Sequence, residues 1–297
     1  MMTNNKVLIT VFTPLYNRAK SIYKVYESLC QQSCYDFEWL VINDGSTDNS
    51  DIIMNEILQN HNSSFPISYF YQENKGLTRT INKALELAKG ILLFRLDSDD
   101  YALSDAIQNI SDCYSLIIDD NSLCSITFLS QRCNGQVNGI HPFNEITRSN
   151  FAEYRDKYRA KGDRAEVMKI DVYKNFKYPE ISGEKFCPEG VVWNRLAMQY
   201  DTLYIPKAIY VKGDYDDSIT ANVYQYLRRN AKGVTLYYKE IVINSHFTFR
   251  YRFINAIKFY RYAFYAKVPL FKEIPICMTV AFPIALMVIA KDYFKRI

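Results

Sequence analysis

Three carboxylates crowd four consecutive positions in Asp97-Ser98-Asp99-Asp100, directly after an apolar run ending at Leu96. Neighbouring carboxylates raise one another's pKa, so such crowding is costly unless a cation shares it. Mg²⁺ or Mn²⁺ takes oxygen ligands, commonly one or two carboxylates completed by substrate phosphates, which makes the cluster a candidate site for a divalent metal and a diphosphate. The competing reading is a loop of solvated acids capping the next helix. A second polar cluster, Asp44-Gly45-Ser46-Thr47-Asp48, also follows an apolar run. Acids in that setting accept hydrogen bonds from ribose hydroxyls or base N–H groups, although Asp, Ser and Thr are equally good helix N-caps.

The elements that must position these clusters alternate in type. Lys6 to Thr13 is a β-branched apolar run of strand length, which Pro14 and Asn17 are expected to end. Ser21 caps a predicted helix to about Gln32, with Ile22, Val25, Tyr26 and Leu29 on one stripe. Phe37 to Asn43 is a second strand, and a helix carrying Ile52, Ile53 and Ile57 follows it. Ile67 to Gln72 reads as strand, Thr78 to Lys89 as helix closed by Gly90, and Ile91 to Leu96 as strand. Buried strands alternating with helices predict an α/β fold with a doubly wound, mostly parallel sheet, whose ligands bind at the carboxyl ends of the strands. Both acidic clusters sit at such ends. Further on, Leu123 to Leu129 and Tyr204 to Val211 read as strands, and Asn150 to Ala160 and Glu189 to Gln199 as helices.

The chain has 297 residues, enough for one large core plus an appendage, and no repeat or low-complexity tract. Its net charge of +4 is unevenly spread: from Asn222 onward there are thirteen Lys and Arg but only Glu240, Glu273 and Asp292 as acids. Such a block attracts anionic surfaces. The helical, aromatic-rich tail includes Arg250 to Lys272, which interleaves cations with Tyr and Phe, and Ile274 to Ala290, an apolar run of 17 residues holding Pro275 and Pro283. That composition predicts contact with a membrane surface, the alternative being a buried helix. No nucleic-acid recognition motif accompanies the basic residues. The odd set of seven cysteines and an N-terminus without signal-peptide pattern predict reduced thiols and a cytoplasmic location.

Taken together, Thr13-Pro14-Leu15-Tyr16-Asn17-Arg18, Val41 to Asp48, Asn74-Lys75-Gly76 and Leu96 to Asp100 stand in an order and spacing that resembles glycosyltransferase family 2, the inverting enzymes of the GT-A fold. The resemblance is close over about residues 6 to 105. It implies a nucleotide-sugar donor, by family habit a UDP-sugar, and a divalent metal, Mg²⁺ or Mn²⁺. By the same resemblance Thr13, Pro14, Tyr16, Asn17, Asp44 and Lys75 belong to the base and ribose site. Asp97 and Ser98 belong with the donor, Asp99 is the direct metal ligand, and Asp97 faces the ribose or metal-bound water. The chain departs from the family's usual Ala-Arg-Asn after Gly76, reading Arg79-Thr80-Ile81-Asn82 instead.

An acceptor hydroxyl attacking an anomeric carbon must lose its proton as the bond forms, so a base is required. Family members usually carry paired acids in the second half. Here Glu189 matches the first and Gly190 replaces the second, with Glu184 as a competing candidate. Trp193, one turn later, could stack on a sugar or fill the core. The expected division is a donor half (1–105), an acceptor half (106–220) and, from its composition, a membrane-associating tail (221–297), whose membrane contact would point to a lipid-linked or glycan acceptor at the cytoplasmic membrane face. Two other readings are a non-catalytic sugar-nucleotide or glycan-binding subunit, favoured by the Gly190 departure, and a sugar nucleotidyltransferase. The latter normally shows a Gly-rich loop where this chain has Pro14-Leu15-Tyr16-Asn17.

Overall fold

The structure, a computed structural model, describes residues 7–213 and 223–294. The expected boundary between acceptor half and tail at 220/221 lies outside the described residues, as do Lys295 and Arg296. In chain order the elements are β1 (Ile9–Leu15), α1 (Ile22–Cys30), β2 (Phe37–Asp44), α2 (Ser50–Asn60), β3 (Ile67–Gln72), α3 (Leu77–Leu87) and β4 (Leu92–Arg95). There follow β5 (Tyr101–Ala102), α4 (Ala106–Tyr114), β6 (Leu123–Arg132), β7 (Thr147–Ser149), α5 (Phe151–Asp156), β8 (Arg164–Lys169), α6 (Ile170–Tyr173), α7 (Gly190–Leu196) and β9 (Asp201–Lys212). The tail comprises α8 (Val223–Arg229), α9 (Ala231–Ile243), α10 (Phe249–Ala266), α11 (Ile276–Thr279) and α12 (Phe282–Phe294).

One sheet runs through both halves in the order β3-β2-β1-β4-β8-β6-β9-β5, with β7 on β9. The first four strands are parallel, β8 is antiparallel to both neighbours, and β6 and β9 run parallel to each other. Strand period sets the two faces of the core. Ile9, Val11 and Leu15 pack with α1, α2 and α4, whereas Phe12, Leu40, Ile42 and Leu93 pack with α3, α6 and α7.

Pro14 does not end β1, which continues to Leu15. The pairing of β1 with β4 stops at Phe12, so Pro14 lies where β1 keeps one neighbour, a position that tolerates the missing N–H. The expected helices at 150–160 and 189–199 are shorter, α5 ending at Asp156 and α7 at Leu196. Strand β8 went unrecognised because Arg164, Glu166 and Lys169 give it a polar look; yet Arg164, Glu166 and Met168 on it line the site cavity. In the tail, Pro275 is the N-cap residue of α11 and Pro283 falls in the first turn of α12, where proline costs little, so both sit at helix starts.

Candidate active site

The polar loops leaving β1, β2 and β4 are stitched together before any ligand is considered. Asn17 adopts φ 51°, and its side-chain oxygen accepts from the Thr47 N–H at 2.8 Å while its own N–H donates to Ser46 Oγ. Arg18 and Ala19 donate backbone N–H groups to Ser50 Oγ and Asp48. The Ser21 hydroxyl donates to the Ser98 carbonyl at 2.7 Å, tying the acidic loop to the start of α1. Asp44, only 5% exposed, accepts from the N–H groups of Lys75 and Gly76 and from Gln72 Nε2, at 2.7 to 2.8 Å. That carboxylate therefore fixes the loop between β3 and α3. Gly45 at φ +75° makes the approach possible, since a Cβ there would meet Asn74 N at 2.6 Å.

Of the predicted nucleotide contacts, Tyr16 and Lys75 are exposed and Pro14 is partly so. Thr13 lies beneath the loop, fully buried, its hydroxyl accepting from Trp39 Nε1 at 3.0 Å. Ser98 is buried as well.

Beyond β4 the acids meet arginines. Asp99 pairs with Arg18 Nε at 3.2 Å. Arg95, the last residue of β4, bridges two functional candidates: its Nε lies 3.0 Å from Asp97 Oδ1 and its Nη1 2.7 Å from Glu189 Oε2. Burial alone would pull the Arg95 pKa down, but the two carboxylates more than offset this and hold it ionised. Arg95, Asp97, Asp100, Glu166, Glu189 and Trp193 line one cavity. Burial, and then the Asp97 charge, push Asp100 up to about 7, against the Gly213 N–H that it accepts at 3.0 Å. Burial likewise pushes Glu166 up to about 7, with Glu189 adding to the rise and Arg95 opposing it. Arg164, Glu166 and Trp193 also wall an adjoining cavity with Phe151, Tyr154 and Arg155.

Glu184 is elsewhere. Its two oxygens accept the Lys232 and Gly233 N–H groups at 2.8 Å, which caps α9 and turns the carboxylate toward that helix. Gly190 also has a packing reason, since a Cβ there would collide with the Tyr237 ring of α9. Arg79 donates to the carbonyls of Lys75, Ile181 and Glu184, clamping α3 to the loop that leads into α7.

The family model for glycosyl transferase family 2 matches residues 10–162, just over half of the chain. The chain belongs to glycosyl transferase family 2. Among similar proteins, an Escherichia coli chondroitin synthase is 35% identical over 102 residues, which is 34% of this chain and 14% of that protein. The chain thus spans only a small part of the synthase. A Campylobacter jejuni GalNAc(5)-diNAcBac-PP-undecaprenol β-1,3-glucosyltransferase is 25% identical over 240 residues, covering 78% of this chain and 72% of that one. Among solved structures, residues 1–349 of S. aureus TarS in complex with UDP-GlcNAc align with TM-score 0.65 at 18% identity, over 95% of this chain and 80% of that one. The fold is accordingly GT-A, as the sequence resemblance implied.

Within this family-2 site, the carboxylates suit a hard dication. Asp97 and Asp99 are 35% and 27% exposed and each holds one arginine, which leaves room for further ligands. Among the described residues no three acid, His or Cys side chains converge on one point, so a dication held here would take further ligands from outside these side chains. Sequence reasoning missed Arg95 and Glu166. The signal for Arg95 was its position two residues before Asp97, in a strand otherwise apolar.

Proposed function

We propose that the protein transfers a sugar from a nucleotide-sugar donor, a UDP-sugar, to a hydroxyl of a lipid-linked or polysaccharide acceptor with inversion. The observation that carries this reading is the Arg95 bridge, which brings the acid of the diphosphate loop, Asp97, and the candidate base, Glu189, into one cavity. The undecaprenol-linked substrate in the name of the Campylobacter jejuni relative supports a lipid-linked acceptor.

In this reading the loop from Pro14 to Asn17, with Asp44 and Lys75, holds the base and ribose. Asp99 and Asp97 would hold a divalent metal that, when bound, neutralises charge on the departing diphosphate. Glu189 accepts the proton of the acceptor hydroxyl while that oxygen bonds to the anomeric carbon. The bond to the diphosphate breaks, and its electron pair leaves with the nucleoside diphosphate. Arg95, paired with Glu189 at 2.7 Å, holds that carboxylate in place beside the substrates. Residues 1–105 serve the donor, 106–220 the acceptor, and the tail from 221 brings the enzyme to the cytoplasmic membrane face.

The test is nucleoside diphosphate release from a panel of sugar nucleotides, with and without Mn²⁺ and detergent-solubilised lipid acceptors, in wild type, Asp99→Ala and Glu189→Gln. A single metal-dependent donor signal lost in Asp99→Ala is expected. Glu189→Gln should lower kcat by about 10²- to 10⁴-fold while donor Kd stays within a few-fold. Unchanged turnover in Glu189→Gln would remove its role as base, and donor binding without release would favour the non-catalytic binding subunit.

A further inference from the structure

The tail helix α12 is apolar on both sides. Its inner seam, continuing from α11, has Met278, Ala281 and Ala285 packed in one cluster with Ala256, Phe259, Tyr260 and Ala263 of α10, and Ile289 buried one turn further on. The opposite stripe, stepping by three and four residues, is Ile276, Val280, Pro283, Met287, Ala290 and Phe294, and every one is exposed. Met287 is 65% and Phe294 89% exposed. A surface helix of a water-soluble domain carries polar residues there. This stripe is bracketed by exposed Phe271-Lys272 before it and by Lys291 and Tyr293 at its end. The described tail is strongly cationic, and its three acids are already neutralised: Glu240 by Arg195, Glu273 by Lys239 and Asp292 by Arg261. An apolar face inside a cationic rim matches an anionic lipid surface.

We infer that α12 lies along such a surface, seated on α10, and does not cross the bilayer. Residues Ile276–Phe294 number 19, about 28 Å as a helix, which is long enough to come close to spanning. Crossing, however, requires peeling away from α10. The far end of α12 is locked: Asp292 accepts from Arg261 Nε and Nη2 at 2.7 and 2.6 Å and from the Tyr265 hydroxyl at 2.8 Å. The pair is mostly buried, with side chains 18% and 12% exposed. Peeling would strand both charges and bare the apolar seam of α10. The inference deepens the membrane-facing part of the reading above and rests on it.

The experiment uses the full chain with vesicles of phosphatidylcholine, alone or with one-quarter phosphatidylglycerol. Tryptophan is placed singly at 276, 287 and 294 (Ile276→Trp, Met287→Trp, Phe294→Trp), and quenching by lipids labelled at shallow or deep acyl positions reads its depth. Binding to the anionic vesicles is expected, together with equal, shallow quenching at all three positions. A depth maximum at 287 would mean a spanning helix and overturn the inference. Failure to bind vesicles, with concentration-dependent dimerisation, would assign the stripe to a second copy and overturn it too. The pair Leu286→Glu and Met287→Glu should weaken vesicle binding about tenfold or more while nucleoside diphosphate release with a soluble acceptor stays unchanged. That second readout separates failure of the docking inference from failure of the glycosyltransferase reading.

Discussion

Two glutamates five positions apart, Glu184 and Glu189, were interchangeable candidates by residue type, but their surroundings assign them opposite phenotypes. Glu184 accepts two backbone N–H groups at the start of α9. Glu184→Gln should therefore keep kcat within a few-fold and lower stability by about 1 kcal/mol, read by urea denaturation. Glu189→Gln should do the reverse. Glu166 makes a second residue-level prediction. Its pKa, pushed up to about 7 from 4.5 by burial, means the folded state binds a proton that the unfolded chain has released between those values. Its contribution to stability consequently falls as pH rises from 4.5 to about 7 and stays unfavourable above. Glu166→Gln should leave the unfolding free energy unchanged at pH 4.5 and raise it at pH 8, by on the order of 2 kcal/mol, read by urea denaturation. A variant equally stabilised or destabilised at both pH values would contradict this. The acids at 97, 99 and 189 could be read from the sequence because each lies at an element end, where charge stands out. Glu166 could not, since it sits mid-strand in a segment whose charges concealed the strand itself.

At the scale of elements, β2 was legible because it is buried on both faces and reads as a continuous apolar run, and the edge strand β3 because its aromatic residues stand between polar breaks; both fall where expected to within a residue. The second half has strands that alternate or bulge. β9 shifts register against β6 in three places, and such irregularity leaves no clean period to read. What joins the halves at the site is the close approach of the β3–α3 loop to the 180–189 loop, through Gly76. It adopts φ +91°, and a Cβ there would run into the Lys185 carbonyl. Gly76→Ala should cost at least about 2 kcal/mol in urea denaturation and weaken donor binding, because the Gly76 N–H is one of the anchors of Asp44. Gly190→Asp, which restores the family's second acid, should fail to raise kcat and should destabilise the fold, since Tyr237 fills that space.

At the scale of the molecule, the tail is two structures with different duties. α9 is built into the site: it receives the Glu184 cap, abuts Gly190 through Tyr237, and pairs its Glu240 with Arg195 of α7 at 2.6 Å. α11 and α12 touch the rest through the α10 seam and the Arg261–Asp292 lock. Opening α12 therefore exposes far less than opening α9, so their amides should exchange with solvent at different rates. In deuterium exchange, α9 should be protected together with β1, β2 and β4. The α12 amides should exchange at least about tenfold faster in solution, because fewer buried contacts oppose their opening. Anionic vesicles should slow α12 selectively and leave α9 unaltered, whereas a saturating nucleoside diphosphate should slow the loops after β1, β2 and β4 and leave α12 unaltered. Equal protection of α9 and α12 in solution would mean that the tail opens as one unit. α12 would then be coupled to the loops after β1, β2 and β4 through α10, and any membrane binding would have to change donor affinity, by linkage, as much as donor changes membrane affinity.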